Sequence, residues 1–189
     1  MHHQGRTIAR LTALCVVTFG SCMAAGSPEQ RVDEYQVKAA FIYNFIKFVQ
    51  WPAEAFHSSK EPFSICILGP DPFGRSLEDT VANHEIGGRT FSIRHISDVK
   101  QGAACHVLFV GPVGDIHLPP AIAELASPGV LTIGDSNVSG ADGVIIRFRL
   151  DAGKVRFEID AGAAERKGLR ISSRLLSLAF VPESGRRRF

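Results

Sequence analysis

Beyond the first 26 residues of this 189-residue chain, the side chains best suited to hold a metal or move a proton are five histidines and two cysteines: His57, His84, His95, His106 and His117, with Cys66 and Cys105. Their spacing supports neither role. No His-Glu-x-x-His, Gly-x-Ser-x-Gly or similar arrangement occurs. His106 lies in the apolar run "HVLFV" with no second histidine at a ligand spacing, and a cysteine pair alone is too few for a zinc site. Three glycine-bearing loops, "GPDPFG", "GPVGD" and "GDSN", could in principle cradle a phosphate. Pro70, Pro72 and Pro112 remove backbone donors there, however, and Asp71, Asp115 and Asp135 repel an anion. One carboxylate per loop is also too sparse for a divalent cation. The glycines are read as sharp turns at strand ends, and neither a cofactor nor a metal is expected. Triads assemble in space rather than in sequence, so an unrecognised enzyme remains as a lesser reading.

The N-terminus has the layout of a secretory signal peptide over residues 1–26: Arg6 and Arg10, the apolar run "LTALCVVTFG", then the small residues of "SCMAAGS". A competing reading makes Cys22 a lipidated cysteine, against which Phe19 stands where an aliphatic residue is usual. The apolar run is too short for a retained membrane span, which needs about 20 residues. Export removes two basic residues and no acidic one, which leaves 19 of each sign. A neutral mature chain gives no reason to expect nucleic acid. The remainder fits one domain, with residues 27–34 as a linker, 35–182 as the domain and 183–189 as a tail whose Arg186–Arg188 cluster is solvated. Export also removes Cys15 and Cys22, and two cysteines left in an oxidising compartment suggest one disulfide.

The stretch "KAAFIYNFIKFVQWP" could cross a membrane, fill a core or dock on a partner. Lys38, Asn44, Lys47 and Gln50 interrupt it too often for hydrocarbon. On a helical wheel Gln36, Asn44, Lys47 and Gln50 form one narrow stripe, and the apolar residues cover the rest. The pattern predicts a helix that ends at "WP" and buries Phe41, Phe45, Phe48 and Trp51 against a sheet.

The runs "SICIL", "HVLFV" and "VLTI" each end at glycine and alternate with helical patterns; "RTFSIRHIS" adds a strand. This alternation predicts a Rossmann-like α/β domain with a mostly parallel sheet flanked by helices. Phe73, Leu77 and Val81 face inward on one helix, and Ile122 and Leu125 on a second, in "PPAIAELAS". "GVIIRFRL", the turn "DAGK" and "VRFEID" read as a C-terminal hairpin, with Val155, Phe157 and Ile159 on one face and Arg156 and Glu158 on the other. Short helices capped by Asp160, and by Ser172 or Ser173, complete the chain. In a common doubly wound order the first strand lies between the second and third, so "SICIL" and "CHVLFV" become neighbours and a bond between Cys66 and Cys105 is within reach.

These segments resemble, in matching order from about Tyr35 to Val181, the YfiR-like proteins: "VKAAFIYNFIKFVQWP", "FSICILGPDPFG", "CHVLFVG", "VLTIGD", "GVIIRFRLDAGKVRFEID" and "GLRISSRLLSLA". The resemblance implies a periplasmic regulator that binds the sensor domain of a membrane-bound diguanylate cyclase and holds the enzyme off, so lowering cyclic di-GMP. It also places the family's disulfide on Cys66 and Cys105; a second pair found in some members is missing here. A homodimer is a further possible assembly. The suspected contact surface is the outward side of "VRFEID", with Arg156 and Glu158, together with Leu169 and Ile171, where charged residues stand beside apolar ones.

Overall fold

One long helix, α1 (Pro28–Phe48), lies along one face of a six-stranded sheet, and its sequence dictates that face. The computed structural model describes residues 28–111, 122, 125, 128–136, 138 and 143–180. Residues 1–26 with Cys22, Pro112, Asp115, His117, most of "PPAIAELAS" and the Arg186–Arg188 cluster lie outside the described residues.

Tyr35, Ala39, Ile42 and Ile46 recur at helical spacing and are buried, as is Phe45, while Gln36, Asn44 and Lys47 form the exposed stripe. Phe41, Phe48 and Trp51 are half-buried and pack on the same core. Phe45 is enclosed by Phe157 at 4.9 Å, Phe148 at 5.8 Å and Phe41 at 5.9 Å between ring centroids. Burial of each such ring contributes about 1.5–3 kcal/mol. The helix begins at Pro28, inside the stretch read as a linker, because proline suits a first helical turn and no helix breaker follows it. It ends at Phe48, ahead of "WP", where Val49–Gln50 (β1) leaves to pair antiparallel with Arg170–Ile171 (β8).

The main sheet contains β2 (Phe63–Leu68), β3 (Phe91–Ile96), β4 (Val107–Val110), β5 (Leu131–Gly134), β6 (Ile146–Asp151) and β7 (Lys154–Ile159), in the order β3-β2-β4-β5-β6-β7. Every pairing is parallel except that of β6 with β7. The architecture is a mixed α/β single domain of Rossmann-like kind, and β2 does lie between β3 and β4. Alternate residues serve opposite faces. Ile65, Ile67, Val107, Phe109, Leu131, Ile133 and Phe148 join the core under α1 and α2 (Ser76–Val81), whereas Cys66, Leu68, Leu108 and Val110 join Ile122, Leu125 and Val144 on the other side. Burial on both faces is what near-continuous apolar strands require.

The hairpin turns through Ala152 and Gly153, both at positive φ (47° and 75°), which matches the twist of the paired strands. Asp160 accepts the Ala163 N–H at 2.8 Å and caps α3 (Ala161–Arg166). Ser172 accepts the Leu175 N–H at 3.3 Å and caps α4 (Ser173–Leu176).

Cys66 and Cys105 are bonded, with their Cα atoms 6.0 Å apart. Cys66 faces Leu108 across the sheet, so the bond runs diagonally to the residue that ends the 3-10 turn Val99–Ala104, just before β4. The Arg94 guanidinium lies 3.4 Å from both sulfurs and donates to the Ala104 carbonyl at 3.1 Å. The sequence separation of 39 residues gives a chain-entropy stabilisation of about 4 kcal/mol. The double variant Cys66→Ala/Cys105→Ala is therefore expected to lose about 3–4 kcal/mol in urea denaturation, and wild type under reductant should shift alike.

Candidate functional site

A doubly wound sheet ordinarily offers its ligand crevice at the carboxyl ends of the strands, where the order reverses between β2 and β4. Among the described residues, the chain's own side chains pack together on its β2 side. Phe73 is buried edge-on against Phe109 (4.7 Å) and Tyr35 (5.5 Å). A Cβ at Gly111 would lie 3.0 Å from the Pro70 carbonyl oxygen, so the two loops already touch. Asp71 accepts the Phe73 N–H at 2.8 Å through Oδ1 and pairs with His95 Nε2 at 3.1 Å through Oδ2. Its charge organises its own loop.

The third loop carboxylate, Asp135, is fully buried at the end of β5 beside an equally buried Lys38 from α1, with which it forms an ion pair. The same ammonium pairs with Glu34 one turn earlier on the helix. Asp135 also accepts the Tyr35 hydroxyl at 2.6 Å and the Ser136 N–H at 2.7 Å. A buried charge is tolerated only when its lone pairs and protons are satisfied in this way. The sequence carried a signal that was read only as an interruption: a lysine inside an apolar arc, four residues after a glutamate. Removing one partner strands the other in the interior, so Lys38→Met is expected to cost about 3–5 kcal/mol in chemical denaturation. Adding Asp135→Asn should cost less than the sum of the two single changes.

His106, at the start of β4, is the only one of the described histidines that is buried. Its Nδ1 accepts the Ser64 N–H at 3.0 Å and its Nε2 lies 3.0 Å from the Ala55 carbonyl oxygen, which fixes the neutral tautomer with Nε2 as donor. The ring stacks on Phe56 at 4.3 Å. Burial holds its pKa below the ordinary value of about 6.5, against the opposing pull of the Ala55 carbonyl. The unfolded chain thus binds a proton at a pH where the folded one does not. The stability this contributes is complete above about 6.5 and is lost as pH falls towards the folded pKa. Thermal unfolding at pH 7.5 and 5.0 should show wild type losing stability on acidification. His106→Phe, which keeps the stack, should lose about 1–3 kcal/mol at pH 7.5 and show a shallower pH dependence.

The suspected contact residues lie at different depths. Arg156 is exposed on β7. Glu158, with 20% of its side chain exposed, makes a two-pronged bond to Arg149 on β6, Nε to Oε1 at 3.1 Å and Nη2 to Oε2 at 3.3 Å. Ile171 is half-buried on β8, opposite Val49. Leu169 does not belong with them. Gly168, at φ 73°, turns the chain out of α3 so that Leu169 enters the core under α1 with no exposed surface. The face that carries Arg156 and Glu158 also carries Arg147 and Arg149, because they lie opposite in register: Arg147 to Glu158 and Arg149 to Arg156. Sequence reasoning found the β7 half of this face and missed the β6 half, although the alternation in "RFRL" announces it. Beside the face lies a cleft of about 540 Å³, lined in part by Arg147, Glu158, Arg166 and Lys167. Lys167 donates to the Leu125 carbonyl, and burial lowers its pKa.

A Rossmann-like domain whose described crevice residues pack on one another, and whose hairpin presents a charged face, is a framework suited to surface recognition. The chain belongs to the YfiR/HmsC-like family, whose model matches residues 35–180. That family consists of periplasmic regulators of diguanylate cyclases and is regulatory rather than catalytic. No helix among the described residues is long and apolar enough to cross a membrane.

Proposed function

We propose that this protein is exported to the periplasm, where it binds the sensor domain of an inner-membrane diguanylate cyclase and holds the enzyme inactive. Lower cyclic di-GMP in the cytoplasm is the outcome, although the protein itself never meets that nucleotide. The observation that carries this reading is the family match over residues 35–180, which spans the whole α/β domain. Two features of the molecule support it. The disulfide suits an oxidising compartment, and the packing of Phe73 on Phe109 and Tyr35 within the crevice favours recognition at the surface. We take Arg156, Glu158 and Ile171 as the part of the suspected contact region that retains surface to offer.

The test is direct. Deleting the gene should raise cyclic di-GMP, supplying the wild-type chain should lower it again, and the purified chain should bind the purified periplasmic domain of the cyclase. Unchanged cyclic di-GMP together with no binding would overturn the proposal. A second reading, a small-ligand sensor acting on another membrane signalling protein, draws on the cleft of about 540 Å³ beside the hairpin, a volume within the range of small-molecule sites. A thermal-shift screen with small polar anions separates the two. A ligand whose stabilisation is abolished by Arg166→Ala would favour the sensor reading.

A further inference from the structure

We infer that the outer face of the β6–β7 hairpin is a docking surface for an extended acidic segment of the partner protein. The inference deepens the proposed function and rests on it for the partner's identity, but not for the chemistry of the face.

Placement comes first. Over β2, β4 and β5 this side of the sheet is covered by the second apolar cluster, including Ile122 and Leu125. Over β6 and β7 the same side carries Arg147, Arg149, Arg156 and Glu158, since Ile146, Phe148 and Phe157 turn the other way into the core. It is reachable: 43% of the Arg149 side chain is exposed, and Arg156 is exposed too.

Charge comes next. Glu158 gives both oxygens to Arg149. Arg156 stands directly opposite Arg149, and among the described residues no carboxylate pairs with it. Like charges in directly opposed cross-strand positions destabilise a sheet. An opposed arginine pair costs the free protein stability that a threonine would not, which marks the pair as serving something outside the fold. Charged residues also guard edge strands against aggregation, a role that any charge at 156 fulfils. The sign of the charge therefore separates the two explanations.

Geometry then selects the occupant. Guanidiniums bind carboxylates through paired N–H donors. Arg147 and Arg149 are two residues apart on one strand, about 6.6–6.8 Å, and Arg149 and Arg156 face each other across strands about 4.8 Å apart. Carboxylates at alternate positions of an extended segment have the same repeat. The arginines around half-buried Glu158 repel a segment that is itself basic.

Arg156→Glu tests this, because it converts the repulsive pair into an attractive one and keeps an edge charge. Its melting temperature should equal wild type or exceed it by up to about 4 °C. Two probes are titrated against the purified chain with the hairpin amides followed by NMR: an octapeptide alternating glutamate and threonine, and its glutamine counterpart. The glutamate peptide should shift amides of β6 and β7, weaken with added salt, and bind Arg156→Glu at least tenfold more weakly; the glutamine peptide should not bind. Equal affinity for Arg156→Glu, or shifts elsewhere, would overturn the inference. So would an Arg156-dependent association with anionic phosphatidylglycerol vesicles in place of the peptide. The cyclase periplasmic domain forms a separate arm. If wild type binds the peptide but not that domain, the proposed function fails and the acidic-segment face stands. If it binds the domain and Arg156→Glu does so as tightly, the face fails and the function stands.

Discussion

The register of α1 on the sheet depends on a charge that cannot reach water. Apolar side chains on a helix can slide over a strand surface at modest cost, since one aromatic contact replaces another. Lys38 cannot slide, because its ammonium must meet Asp135 at the end of β5. Every other position would leave the buried Asp135 carboxylate without its cation, a penalty of several kcal/mol. The hydroxyl of Tyr35, on the same carboxylate, fixes the rotation of the helix as the ion pair fixes its translation. With α1 held in this way, Phe45 falls between Phe148 and Phe157, and the inner face of the hairpin is committed to the core.

That commitment has consequences for the opposite side of the hairpin. A two-stranded extension buried on one face must present its alternate residues outward, and here nothing among the described residues lies over them as the second apolar cluster lies over β2, β4 and β5. Meanwhile Tyr35, drawn to Asp135, also lies against Phe73 and helps to close the place where this class of sheet ordinarily receives a ligand. One buried ion pair thus links the side chains packed in the crevice with the arginine face of the hairpin. A molecule arranged in this way is suited to meeting another macromolecule along its surface, as expected of a regulator that acts by contact.

His106 and the disulfide brace the sheet at β2 and β4. The histidine bonds the 3-10 turn after α1 to β2 through two backbone groups, and the Cys66–Cys105 bond ties β2 to the approach of β4. Both act at the centre of the sheet, where β2 and β4 are flanked by strands on either side. The hairpin and its face stand at the far edge, outside that bracing.

Much of this was determined by the sequence alone, because it depends on local periodicity. The 3.6-residue recurrence from Tyr35 to Ile46, the apolar runs ending in glycine, the hairpin turn and the Asp160 and Ser172 caps are all decided by neighbours in the chain. The cysteine pairing could be reached from strand order, since one common arrangement of such sheets makes β2 and β4 adjacent. Other features depend on residues far apart in sequence, and only the tertiary structure decided them. Lys38 reads as an interruption until Asp135, 97 residues later, is placed beside it. Leu169 reads as part of a mixed surface until Gly168 turns it into the core. Arg149 and Arg156 are both ordinary outward residues of a strand, and their opposition exists only in the register of β6 on β7. Charge and packing act through space, so where they determine the site, the chain carries the parts and the fold determines which of them meet.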